Sequence, residues 1–106
     1  MNIEKLTSNN KSAKKIIYVD NNMELAVESV EPYQKVLKEV HPRSTQFIRV
    51  ESGSGYIEIN GRIIKLDILN NDAVIVPANT LHEITARKNG LKFYTIYSPP
   101  LNFNLF

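Results

Sequence analysis

Between Ile16 and Tyr97 the chain alternates short apolar–polar runs with turn-forming clusters, and that rhythm sets its fold class. The runs are Ile16–Val19, Met23–Val30, Lys35–His41, Gln46–Glu51, Tyr56–Asn60, Arg62–Ile68, Ala73–Val76, His82–Ala86 and Leu91–Tyr97. Successive side chains of a strand point to opposite faces, so an apolar residue at every second position marks a strand with one buried side. In Gln46–Glu51 one face carries Gln46, Ile48 and Val50, and the other carries Phe47, Arg49 and Glu51. The breaks have turn chemistry. Asn60-Gly61 suits a type I′ hairpin turn, which needs positive φ at both central residues. Asn70-Asn71-Asp72 and Asn89-Gly90 read as two further turns. Pro99-Pro100 ends the final run, because proline has no N–H to give to a ladder. Short runs at this spacing, with almost no helical periodicity, predict an all-β sandwich or barrel.

Residues 1–15 break the pattern. They are polar apart from Ile3 and Leu6, and they predict an N-terminal arm or a short helix capped around Ser8 or Asn10. Residues 16–106 are then expected to form a single β-barrel domain, as the length of 106 residues suggests. Thirteen basic residues against 11 acidic ones make a balance that argues against nucleic acid as a partner. Lys11, Lys14 and Lys15 form one basic cluster, which reads as a solvated arm rather than a phosphate-tracking patch. The absence of cysteine excludes disulfide scaffolds, thiolate metal sites and cysteine nucleophiles. No stretch approaches the roughly 18 apolar residues of a membrane-spanning helix, and the opening residues lack a secretory pattern. A cytoplasmic protein with no membrane partner is the expectation.

Against this background two histidines stand out. Glu39 and His41 are two apart and share a face; Gln46 shares its face with Ile48 and Val50, and His82 shares its face with Ile84 and Ala86. Three separate runs can thus offer Glu39, His41, Gln46 and His82 to one interior point. Imidazole nitrogens with oxygen donors form a set that can hold one divalent ion, Zn, Fe, Mn or Ni. Each residue has a plainer role as well. A lone buried histidine is usually a hydrogen-bonded core residue, and Gln46 can simply bond backbone at a strand start. Glu39 can serve as a catalytic general base, or pair with Arg43 or Arg49. Phe93, Tyr94 and Tyr97 read as core, and Phe47 and Tyr56 as outer-face packing.

The spacing resembles the cupin superfamily. The first motif of that family is a glycine, five residues, His-x-His, a few residues, an acid, six residues and a glycine. Glu39 stands at the first histidine position, His41 at the second, Gln46 at the acid and Gly53 at the closing glycine. The second motif is a glycine, five residues, Pro-x-Gly, two residues and a histidine, matched by Asn71, Pro77-Ala78-Asn79 and His82. Tyr33, Asn71 and Asn79 replace family glycines; asparagine is the residue other than glycine that best tolerates positive φ. Flanking strings such as Gln46-Phe47-Ile48-Arg49-Val50-Glu51 are similar to those of small single-domain cupins. The resemblance implies an RmlC-like jelly-roll barrel of two antiparallel sheets. It also implies a homodimer, with Ile16, Ile17 and Phe47 as outer-face residues to cover. Such a protein is expected to act on, or bind, a small oxygen-rich molecule such as a sugar or organic acid within the barrel. The other expectations are a non-enzymatic ligand-binding module with a vestigial metal, or a metal-free epimerase-like cupin using His41 or His82 as base. Fold alone does not separate them.

Overall fold

The computed structural model of the chain describes residues 1–101. The last positions of the expected barrel domain, 102–106, lie outside the described residues. Helix α1 (Ile3–Ser8) is capped by Asn2, whose side chain accepts the Lys5 N–H at 3.1 Å. Its buried face presents Thr7, and α1 lies against three strands of the barrel. The strands are β1 (Lys14–Val19), β2 (Glu24–Val30), β3 (Lys35–Glu39), β4 (Thr45–Ile59), β5 (Arg62–Asp67), β6 (Ala73–Val76) and β7 (His82–Ser98).

All pairings are antiparallel, and they build two layers from one continuous ladder. In the first layer β1 pairs with β2, β2 with Leu91–Tyr97 of β7, that segment with the first part of β4, and β4 with β6. In the second, β3 pairs with the His82–Thr85 part of β7, which pairs with Gly55–Ile59 of β4, and β4 pairs with β5. The two layers close over Ile48, Val50, Ile57, Leu66, Ile84 and Phe93, all buried. This is the all-β jelly-roll barrel that the alternation implies.

Strand number is where the structure departs from the run count. Gln46–Glu51 and Tyr56–Asn60 are one strand, as are His82–Ala86 and Leu91–Tyr97, so Asn89-Gly90 lies within β7 and is not a hairpin turn. Both long strands bend from one layer into the other at glycine. Gly53 and Gly90 have φ of +77° and +75°, and the β4–β7 register slips on both sides of Gly53. A bulge of this kind turns a strand without breaking its ladder, and local sequence shows only the same residues a turn would use. A Cβ on Gly53 would also collide with the Gly90 carbonyl oxygen. The other turns form as expected: Asn60 and Gly61 both have positive φ, Asn71 is left-handed after the 3₁₀ turn Ile68–Asn70, and β7 stops at Ser98. The barrel also starts earlier than the alternation suggests, at Lys14, so part of the lysine cluster lies in β1.

Candidate metal centre

The expected ligand residues come from three elements that meet at one end of the barrel. β3 ends at Glu39, two residues short of His41, and Pro42, which has no N–H to give a ladder, follows. Within β3 a bulge sets Val36 opposite Ile84 and Glu39 opposite His82. Three steps along β3 thus match two along β7, which brings Glu39 back to the face of Val36. His41 then sits on the connection to β4, where its carbonyl accepts the Asn79 N–H at 2.8 Å. Asn79 has φ of +58°, the left-handed state that asparagine tolerates. The turn before His82 is therefore bonded directly to the residue that carries the other imidazole.

One ligand atom each from Glu39, His41 and His82 lies within 4.8 Å of the others. The His41 and His82 ring centroids are 5.0 Å apart, and His41 Nε2 lies 3.1 Å from Glu39 Oε2. Two lone-pair donors that close need a cation between them, a proton or a metal ion. Pairing with His41 holds the Glu39 carboxyl below the usual carboxylate range, against the opposing pull of partial burial. The ion pairs with Arg43 or Arg49 that the sequence allows do not form; Arg49 instead bonds Val50 and Asn71 on the outer face. His82 Nδ1 faces the Thr80 carbonyl at 3.0 Å. A carbonyl can only accept, so Nδ1 carries the hydrogen and Nε2 keeps its lone pair for the site. Burial holds the His82 pKa below its ordinary value, which favours the neutral, ligating form.

Gln46, buried at the start of β4, is oriented by side chains rather than by backbone. Its Nε2 donates to Thr95 Oγ1 at 3.0 Å and to the Tyr97 hydroxyl at 3.1 Å. Its Oε1 is buried and has no hydrogen-bond partner among the described residues. An orphaned buried carbonyl is a costly arrangement, of order 1–3 kcal/mol, unless something electropositive faces it. Metal–ligand bonds of about 2.0–2.2 Å set neighbouring ligand atoms about 3 Å apart and opposite ones about 4.2 Å apart. The 3.1 Å and 4.8 Å separations approach those values, so a divalent ion fits with a tightening of under about 1 Å. The donor set has the chemistry for it: two imidazoles, one carboxylate and one amide oxygen.

Beside this cluster lies a second set of polar groups that the sequence reading missed. Glu24 and Glu28 of β2 are buried inside the barrel, with Tyr97 of β7. Lys14 reaches inward from β1 to Glu24 at 3.3 Å, and its ammonium lies 5.0 Å from the Tyr97 ring centroid. Lys14, its side chain 34% exposed, is thus paired to a buried carboxylate and not part of a solvated arm. Burial pushes the Glu28 carboxyl up to about 7, with Lys14 opposing, and burial also pushes the Tyr97 hydroxyl up. The Tyr97 ring makes an edge contact with His41 at 5.3 Å, so the two sets touch. The only available signal was weak: Glu24 and Glu28 sit in a run, Glu24–Val30, that is buried on both faces and shows no alternation. Of the aromatic run read as core, Phe93 is core, Tyr97 belongs to the site, and Tyr94 faces outward against Phe47.

A cavity of about 230 Å³ lined by His41, Pro42, Arg43, Ser44, Pro100 and Leu101 opens beside the site. A larger groove of about 620 Å³ between α1 and β1 carries none of the ligating residues. Among the described residues no helix is long and apolar enough to cross a membrane.

Known proteins agree with this architecture. Residues 26–97 match the Cupin domain family. The chain is 31% identical over 103 residues to the uncharacterized protein L612 of Acanthamoeba polyphaga mimivirus, covering 93% of this chain and 64% of that protein. It is 29% identical over 105 residues to the uncharacterized protein YrkC of Bacillus subtilis, covering 94% of this chain and 56% of that one. The chain thus spans 56% and 64% of the length of these two relatives. The crystal structure of BH2720 from Bacillus halodurans superposes with a TM-score of 0.87 at 28% identity, covering 94% of this chain and 80% of that chain. The chain belongs to the cupin family.

Proposed function

We propose that this cupin holds one divalent metal ion through Glu39, His41, Gln46 and His82 and binds or converts a small oxygen-rich molecule, such as a sugar or organic acid, beside it. The observation that carries the reading is the convergence itself. Three ligating atoms lie within 4.8 Å of one another, and the Gln46 amide, bonded to the Tyr97 hydroxyl whose ring contacts His41, has a buried oxygen that no described residue satisfies. When bound, such an ion acts as a Lewis acid on a carbonyl or carboxylate oxygen. The chain's own residues supply the rest. Pro42, Pro100 and Leu101 wall the approach past His41, and Arg43 puts a positive charge on the rim. Glu39 is the residue with two available roles, ligand and proton acceptor, because its carboxylate is ionised and partly exposed.

The test is elemental analysis of protein purified without a chelating tag, followed by turnover and calorimetry with a panel of keto-sugars and organic acids. Stoichiometric metal, lost in the double change His41→Ala with His82→Ala, supports the site. Turnover with a panel member makes it an enzyme; binding without turnover makes it a ligand-binding module. Metal-free protein that still turns over a substrate would move the proton chemistry to the Glu39–His41 pair, 3.1 Å apart.

We also infer a homodimer. On the outer face Phe47 pairs with Ile75 on one side and Ile96 on the other, and Ile75 is 61% exposed. Covering such a row, with the open edge of β1, is what a second barrel would do. Light scattering that gives only the 12.1 kDa mass at micromolar concentration would overturn it.

A further inference from the structure

The hydrogen bonds around Gln46 have a fixed direction, and that direction ends at the metal site. The Phe47 carbonyl can only accept, so the Thr95 hydroxyl donates to it, at 2.9 Å. Thr95 Oγ1 then has only lone pairs to offer Gln46, so the amide must present its NH₂ group, at 3.0 Å. The second amide hydrogen goes to the Tyr97 hydroxyl oxygen at 3.1 Å. Thr95 and the amide each have one choice once the Phe47 carbonyl is set. Reversing the amide would put Oε1 against the Thr95 lone pairs and give up that bond. What the chain leaves over is Gln46 Oε1, buried and without a partner among the described residues.

We propose that Thr95 and Tyr97 are positioning residues for the metal centre, a hydrogen-bond chain that fixes the Gln46 amide with its oxygen as the ligand. The inference rests on the ion site described above. It adds that the orientation of Gln46 is set from β7, by residues outside the ligand set. An amide NH₂ group has no lone pair to give a metal, so the chain decides whether Gln46 is a ligand at all. Outer partners of this kind change metal affinity by about 10- to 100-fold when removed.

Cobalt(II) alone is the probe, added to tag-free protein and followed by its visible absorption bands and by calorimetry. Wild-type protein is expected to take one Co²⁺ per chain. Thr95→Val is nearly isosteric but can neither donate to Phe47 nor accept from Gln46. It is expected to shift the Co²⁺ bands and weaken binding about 10- to 100-fold, and Thr95→Ser to restore both. Tyr97→Phe should act in the same direction. Circular dichroism on the same samples checks that each variant is folded, and Thr95→Ser keeps the test decisive if a larger change is not. Folded Thr95→Val and Tyr97→Phe proteins with the wild-type spectrum and affinity would overturn the chain while leaving the ion site standing. Wild-type protein that takes up no Co²⁺ would overturn both.

Discussion

The two ends of this barrel are built by the same strands and have opposite chemistry. At one end Val50, Ile57, Leu66, Ala86, Leu91 and Phe93 close a dry apolar core. Towards the other, Gln46, Thr95 and His82 are buried on β4 and β7, with Glu24 and Glu28 buried on the neighbouring β2. β7 alone runs from a ligating histidine, through the core, to the site tyrosine. Alternation along a strand decides which face a residue takes, but position along the strand decides which end it reaches. The apolar end supplies the burial that folds the chain. The polar end spends part of it on groups that are expensive to desolvate. Stability and chemistry share the strands of one barrel and meet in register where Glu28 of β2 pairs with Phe93 of β7.

The sharpest way to break that division is at the apolar end. Phe93→Ala should cost about 3–5 kcal/mol in urea unfolding, through lost burial and the cavity left behind. A loss below about 1 kcal/mol would mean the core is not where the stability lies.

The next effect comes from the polar end and depends on pH. An unfolded Glu28 carboxyl titrates near 4.5 and the folded one near 7. Between those values the folded state holds the extra proton, so stability is full below the lower value and falls as pH rises through the upper one. The whole window is worth at most about 3 kcal/mol. Glu28→Gln should flatten it, leaving the variant more stable than wild type at pH 8. Parallel pH profiles for the two proteins would show that Glu28 is not the source.

Metal should stabilise only the polar end. At a hundredfold excess over Kd a divalent ion is expected to add about 2.7 kcal/mol to wild-type stability. It should add nothing to the double change His41→Ala with His82→Ala, as measured by thermal melts with and without the ion. Equal stabilisation of both proteins would place the ion elsewhere.

The smallest effect lies outside both ends. Tyr33 holds φ of +63° and is 70% exposed, a conformation unfavourable for a residue with a Cβ. Tyr33→Gly should raise stability by less than about 1 kcal/mol, because relief of strain is partly offset by glycine's greater freedom when unfolded. A clear destabilisation would show that the ring packs against something that matters.

The comparison also explains what could be read in advance. Glu39, His41 and His82 were legible because strand parity and motif spacing agree, and their ligand atoms do converge. Gln46 was legible as a face, but its partners Thr95 and Tyr97 come from a strand 49 and 51 residues away, which no local pattern reports. Glu24, Glu28 and Lys14 were missed for a different reason. β2 is buried on both sides, so it has no alternation to mark an inward carboxylate, and Lys14 looks like its solvated neighbours until β1 is paired. The Asn89-Gly90 bulge was read as a turn because glycine at positive φ serves both, and only the distant close approach to Gly53 decides between them.

The central place of β7 has a consequence for how the chain comes to be folded in a cell. β2, β3 and β4 all pair with β7, and Glu24 of β2 finds its partner in Tyr97, far along the chain. A ribosome adds about 5–20 residues per second, so β2 waits several seconds for the partner that completes its ladder. During that interval an apolar strand with open edges is in solution, and the closing contacts are the long-range kind that form slowly. Cellular yield should therefore respond to translation speed and chaperone supply over the segment between β2 and β7.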